Sequence, residues 1–113
     1  MQLQVKGKNL EVSDSIRSYA ERKLAKLERQ VHEGTRVEIE LAVEKNPSVA
    51  DNQVAEATIY LKGATLRAHE SSPDMLHSIH ELAEDIRRQV KRHREKRRGR
   101  ARTRRMMGRL RRA

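Results

Sequence analysis

Gln2 to Lys6 sets Leu3 and Val5 between polar neighbours, a period of two that predicts a half-buried strand ending at Gly7. Ser13 then stands where a helix N-cap belongs, with Asp14 behind it in the first turn, where a negative charge suits the helix dipole. Ile16, Tyr19, Ala20, Leu24, Leu27 and Val31 recur at spacings of 3, 1, 4, 3 and 4, one apolar stripe on a helix of about 17 residues. At 100° per residue Arg22, Lys26 and Arg29 fall on one flank of that stripe and Glu21 and Glu28 on the other. Gly34 ends the helix. Val37, Ile39, Leu41 and Val43 alternate with Arg36, Glu38, Glu40, Ala42 and Glu44, predicting a two-faced strand over Thr35 to Lys45.

Asn46-Pro47-Ser48 and Asp51-Asn52 break the pattern into a loop. Gln53 to Lys62 reads as a third strand, and Lys62-Gly63 turns the chain into a fourth, Ala64 to Glu70, making a hairpin. Ser72-Pro73-Asp74 carries the marks of a helix start. Met75, Ile79, Leu82, Ala83, Ile86 and Val90 form its apolar stripe, and His93 and Arg97 stand next on the same line. The stripe therefore ends at Val90, and the helix beyond it is expected to project from the body. Gly99 and Gly108 interrupt the rest, so residues 95–113 are expected to be mobile when unbound. The order is βαβββα. Each helix has one stripe to bury, so both are expected on one face of a four-stranded sheet, an α+β fold.

Charge changes the picture at one place. Residues 1–85 hold 11 Lys and Arg against 15 acids, whereas residues 86–113 hold 15 against Glu95 alone. The net charge of +10 thus belongs to the C-terminal quarter, which has the balance of a nucleic-acid binder. The open sheet face is expected to present Glu38, Glu40, Glu44, Glu56, Thr58 and Tyr60, an acidic surface with one ring on which a base could stack. With two aromatic residues in the whole chain, affinity for RNA must come from Arg and Lys on phosphates, and the target must be read by shape. Arg87 and Arg88 also have Glu81, Glu84 and Asp85 within helical reach, so a paired, solvated face is the competing reading there. From Lys91 onward only Glu95 is available.

The absence of Cys excludes a disulfide framework and thiolate catalysis and suits a reducing cytosol. No apolar run approaches a membrane span, and the N-terminus lacks the apolar core of a secretory signal. His77 and His80 with Glu81 and Glu84 sit at helical spacing, but the pattern is not that of a zinc helix and supplies no third ligand. No Gly-rich phosphate loop or Ser/His/Asp arrangement is present. The expectation is a protein that binds, not an enzyme, and one that needs no cofactor. Met106-Met107 is open to two readings, an anchor for a partner or an incidental pair.

Two stretches read together resemble a known family. LEVSDSIRSYAERKLAKLERQ (10–30) looks like the first helix of the ribosome hibernation-promoting factor family, and HESSPDMLHSIHELAEDIRRQVKRHREK (69–96) like its second. The resemblance spans roughly residues 1–96, and the element order agrees with the family's fold, akin to a double-stranded-RNA-binding domain. It implies a cytoplasmic protein that docks on rRNA in the decoding region of the small ribosomal subunit under stress or in stationary phase and blocks mRNA and tRNA. By position, RNA contact falls on Arg22, Lys23, Lys26 and Arg29, and on Arg87, Arg88, Lys91, Arg92 and Arg94, with Arg97 and Arg98 beyond them. Lys23 lies nearest the buried edge of its helix.

The resemblance divides the chain into a ribosome-binding unit at 1–96 and an Arg-rich flexible tail at 97–113. Leu76 stands where relatives carry an aromatic residue, which reads as a packing substitution. Long members of the family continue into a second domain that pairs ribosomes. This chain ends before one, so it is expected not to dimerise ribosomes unaided; short members either cooperate with a separate ribosome modulation factor, a candidate partner here, or block dimers, and both stay open. It is expected to be monomeric off the ribosome. Two other readings stay open: a general binder of structured RNA driven by the basic tail, and a module whose acidic sheet face binds a protein.

Overall fold

The computed structural model describes residues 1–112 and, within them, the side chains of 1–100 and 102–107. The elements are β1 (Gln2–Gly7), α1 (Asp14–Leu24) continued by a 3-10 segment (Ala25–Gln30), β2 (Arg36–Val43), β3 (Gln53–Leu61), β4 (Ala64–Ser72) and α2 (Met75–Arg112). The sheet order is β1-β2-β3-β4, with β1 parallel to β2 and the other pairs antiparallel. The α+β fold expected from the alternation is the fold observed.

Register explains why one face is dry. Val5 pairs with Ile39, Val37 with Ile59, Ile39 with Ala57, Leu41 with Ala55, and Ala57 with Ala68, so every inward residue meets another inward residue. Ala20, Leu24 and Leu27 close that face from one side, and Met75, Ile79, Leu82, Ala83, Ile86 and Val90 from the other. Ala55, Ala57 and Ala68 are small, and they lie in β3 and β4, the strands that α2 crosses. β1 ends at Gly7, where the Leu10 carbonyl packs so close that a Cβ would run into it. Among the described residues Gly63 alone has a left-handed backbone, φ 78°, and it closes the β3–β4 turn.

Ser13 caps α1 as the sequence predicts, its Oγ accepting the Ile16 N–H at 3.2 Å. The helix beyond Leu24 is tighter than the spacing predicts. In the 3-10 segment residues three apart eclipse, so Leu24, Leu27 and Gln30 share the inner row and Lys26 and Arg29 share an outer one. Gln30 is thereby drawn inward, with its Oε1 buried.

The start of α2 is fixed by hydroxyls. Ser72 Oγ accepts the Asp74 N–H at 3.2 Å and lies 2.7 Å from the buried Ser78 Oγ, which donates to the Gln53 carbonyl at 2.7 Å. This pins the first turn to β3 and β4. Ser78→Ala strips that carbonyl of its side-chain donor and is expected to cost about 1–3 kcal/mol, read as a lower midpoint in urea unfolding. Leu76 is 41% exposed, so its side chain is not a core-packing element.

The helix does not stop near residue 95. It passes through Gly99 without a break and ends at Arg112, 38 residues in all, and it sets the 66 Å long axis of the molecule. Val90 is the last buried side chain among those described, the next two turns flank the body as far as Arg98, and about 21 Å of helix extends past it.

Candidate nucleic-acid interface

The cations of the helix layer divide into three groups. On α1, Arg22 is exposed and Lys23 half-buried, and both cationic heads lie over the Tyr19 ring, at 5.5 and 5.4 Å from its centroid. Lys23 is thus held on the ring rather than in the core. Lys26 and Arg29, eclipsed on the outer row of the 3-10 segment, are exposed. Arg17, on the same helix, is committed elsewhere: its Nη1 donates to the Val5 carbonyl at 2.7 Å and ties α1 to β1.

On α2, Arg87 and Arg88 part company. Arg87 Nη1 lies 2.9 Å from Glu84 Oε1, and its Nε is buried without a partner. Arg87 is a paired residue, as the acids one turn back allowed. Arg88, Lys91 and Arg92 are exposed, and among the described residues no carboxylate lies within 4.0 Å of them. Spacings of three and four put them on one side of the helix. They form a row of solvated, unneutralised charge.

The third group was not legible in the sequence. The end of the 3-10 segment, the β3–β4 turn and α2 beyond Val90 converge on a groove of about 380 Å³. It gathers Arg29, Arg94, Arg97 and Arg98 with Lys62 and His93, and no carboxylate lines it. The convergence is a consequence of topology. β2 begins and β3 ends at the same end of the sheet, where Arg36 pairs with Tyr60, and α2 runs back along β4, with Gln89 Nε2 donating to the Arg67 carbonyl at 2.8 Å. Lys62 and Arg94 therefore meet although 32 positions separate them. The only local hint was a Lys beside the turn glycine.

The open face of the sheet is mixed rather than acidic. Lys6 lies 3.9 Å from Glu40, Arg36 3.5 Å from Glu38, and His69 Nε2 3.7 Å from Glu56. Arg36 also covers the Tyr60 ring at 4.4 Å, and Tyr60 Oη donates to Glu38 at 3.3 Å. Tyr60 is therefore occupied as a stacking platform. Glu44 lies beyond β2 and accepts the Asn46 N–H at 3.1 Å in the loop. His77 lies 3.8 Å from Glu81, and among the described residues no three His, Asp or Glu side chains converge on a point. No described helix is long and apolar enough to cross a membrane. Met106 and Met107 are 64% and 56% exposed on the projecting helix.

The chain is thus a two-layer α+β body with unneutralised cations concentrated on its helices. Residues 3–98 match the family described as "Sigma 54 modulation protein / S30EA ribosomal protein", and the chain belongs to that family. A ribosome hibernation promoting factor of Azotobacter vinelandii is 36% identical over 96 residues, covering 85% of each chain. A ribosome hibernation promotion factor of Picosynechococcus sp. is 35% identical over 97 residues; the match covers 85% of this chain and half of that relative. Among solved structures, the N-terminal domain of Thermus thermophilus Protein Y superposes with a TM-score of 0.70 at 30% identity, covering 82% of this chain and 99% of that domain. The family match ends at Arg98, so the last turns of α2 lie outside it.

Proposed function

We propose that the protein is a ribosome hibernation factor that acts by binding, not catalysis. It docks on rRNA in the decoding region of the small ribosomal subunit and occupies the path of mRNA and tRNA, so the stored ribosome does not translate. The observation that carries this reading is the row Arg88, Lys91 and Arg92, exposed and unneutralised on a helix whose other side is locked into the core. Arg22, Lys26 and Arg29 extend the charge onto the neighbouring helix, and Lys23 adds to it from over Tyr19. Arg87, tied to Glu84, contributes less. The names borne by relatives that this chain matches over most of its length support the same conclusion.

In this reading residues 1–96 select the site and residues 97–113 strengthen the hold. The tail has no apolar stripe in its sequence, and its arginines repel one another at i,i+4, so its helix is expected to fray in free solution and to stiffen on phosphates. The protein works in the cytoplasm as a monomer, without a cofactor; a separate ribosome modulation factor is a candidate partner. Sucrose-gradient fractionation of stationary-phase lysate tests the proposal. The protein is expected with small subunits and intact ribosomes, and its recovery only at the top of the gradient in low salt overturns the reading.

A second reading, a general binder of structured RNA, is favoured by one observation: the projecting arginines continue past the end of the family match. Removal of that segment separates the two.

A further inference from the structure

The groove at the end of the 3-10 segment is unlike the other charged surfaces of the molecule. A solvated row of arginines needs only phosphates at the right spacing. Here the cations ring a concave site that also holds the half-buried apolar side chains of Val31 and Leu61, with the buried Val90 beneath them. Bare charge is normally offset by nearby acids, and no carboxylate lines this groove. Its wall also contains two buried polar atoms without a hydrogen-bond partner, Gln30 Oε1 and His93 Nε2. Buried polar atoms are ordinarily paired, and these two, one from the 3-10 segment and one from α2, belong to residues that line the groove. The volume, about 380 Å³, falls at the small end of ligand sites and is too small for a duplex.

We propose that this groove binds a single nucleotide unit, with its phosphate on Arg29, Lys62 and Arg94 and its ring against the half-buried Val31 and Leu61. Gln30 Oε1 offers an acceptor and His93 Nε2 a donor or acceptor to a base edge or ribose hydroxyl that displaces part of the wall. The unit has two possible sources, an unstacked nucleotide of RNA or a free nucleotide, and the chemistry of recognition is shared. The proposal deepens the ribosome reading, and it rests on that reading only for the RNA source.

The test is an NMR titration of the full chain with adenosine monophosphate, with inorganic phosphate in parallel. Saturable shifts are expected at residues 30–32, 62–63 and 93–98. Lys62→Glu, an exposed turn substitution, is expected to weaken binding roughly tenfold or more, and His93→Ala to weaken it while sparing inorganic phosphate. Equal affinity for the two probes overturns the role of Val31 and Leu61. Shifts that do not saturate, or that spread over all basic residues, overturn the site. Ribosome co-sedimentation then separates the sources. With an RNA source, Lys62→Glu also weakens sedimentation and adenosine monophosphate competes; with a free nucleotide, Lys62→Glu sediments like the wild type. Saturable binding of the nucleotide by a chain that never sediments with ribosomes sinks the ribosome reading and leaves the groove standing.

Discussion

Replacing Arg88, Lys91 and Arg92 together by Glu is expected to abolish co-sedimentation with small subunits, a loss of roughly a thousandfold or more in affinity. Each substitution removes one cation and places an anion at the same distance from phosphate, so attraction is replaced by repulsion at three adjacent positions. No internal ion pair compensates, because among the described residues none of the three has a carboxylate within 4.0 Å. The fold is expected to survive, since all three side chains are exposed and the core contacts of α2 run from Met75 to Val90. An unchanged thermal melt beside unchanged sedimentation would remove this row from the interface. The same reversal at Arg87 is expected to do less, because Arg87 already faces Glu84 at 2.9 Å.

The second large effect is of salt. If about six phosphates are engaged, affinity is expected to fall roughly a thousandfold between 50 and 200 mM monovalent salt, because each neutralised phosphate releases condensed counterions. A direct binding measurement with fluorescently labelled protein and purified small subunits reads the slope. Deleting residues 99–113 is expected to make that slope shallower while selective binding remains. Loss of nearly all binding on deletion favours the general RNA binder instead. An interaction insensitive to salt favours a protein partner for the sheet face.

Several features are plain in the chain itself. Strand alternation marks β2 and β3 because each inward residue pairs with another inward residue, and Ser13 marks its cap because few residues can accept the Ile16 N–H there. The tightening at Ala25–Gln30 was hidden, since Leu24 and Leu27 are three apart in either kind of helix. The continuation of α2 past Gly99 was hidden for a related reason: a segment that buries nothing leaves no periodic trace. Arg29, Arg94, Arg97 and Arg98 were visible as charges, but their meeting with Lys62 and His93 depends on which end of the sheet each element reaches. Leu76 misled because an aromatic residue at that position in relatives suggested packing, whereas its side chain is 41% exposed on the outer side of the helix.

One unbroken helix serves both the core and the basic face, and this divides the chain into stretches with different tolerance for change. Every inserted residue turns the remainder of the helix by about 100° and advances it by about 1.5 Å. Before Val90 such a change would drag Ile86 or Leu82 out of the body, so length there is as constrained as composition. After Val90 no fully buried side chain holds the register among the described residues, yet the proposed groove needs His93 and Arg94 on the side that Arg29 lines. Past Arg98 neither constraint acts. Insertions, deletions and exchanges of arginine for lysine are expected to accumulate there, among related chains, without disturbing the fold or the groove.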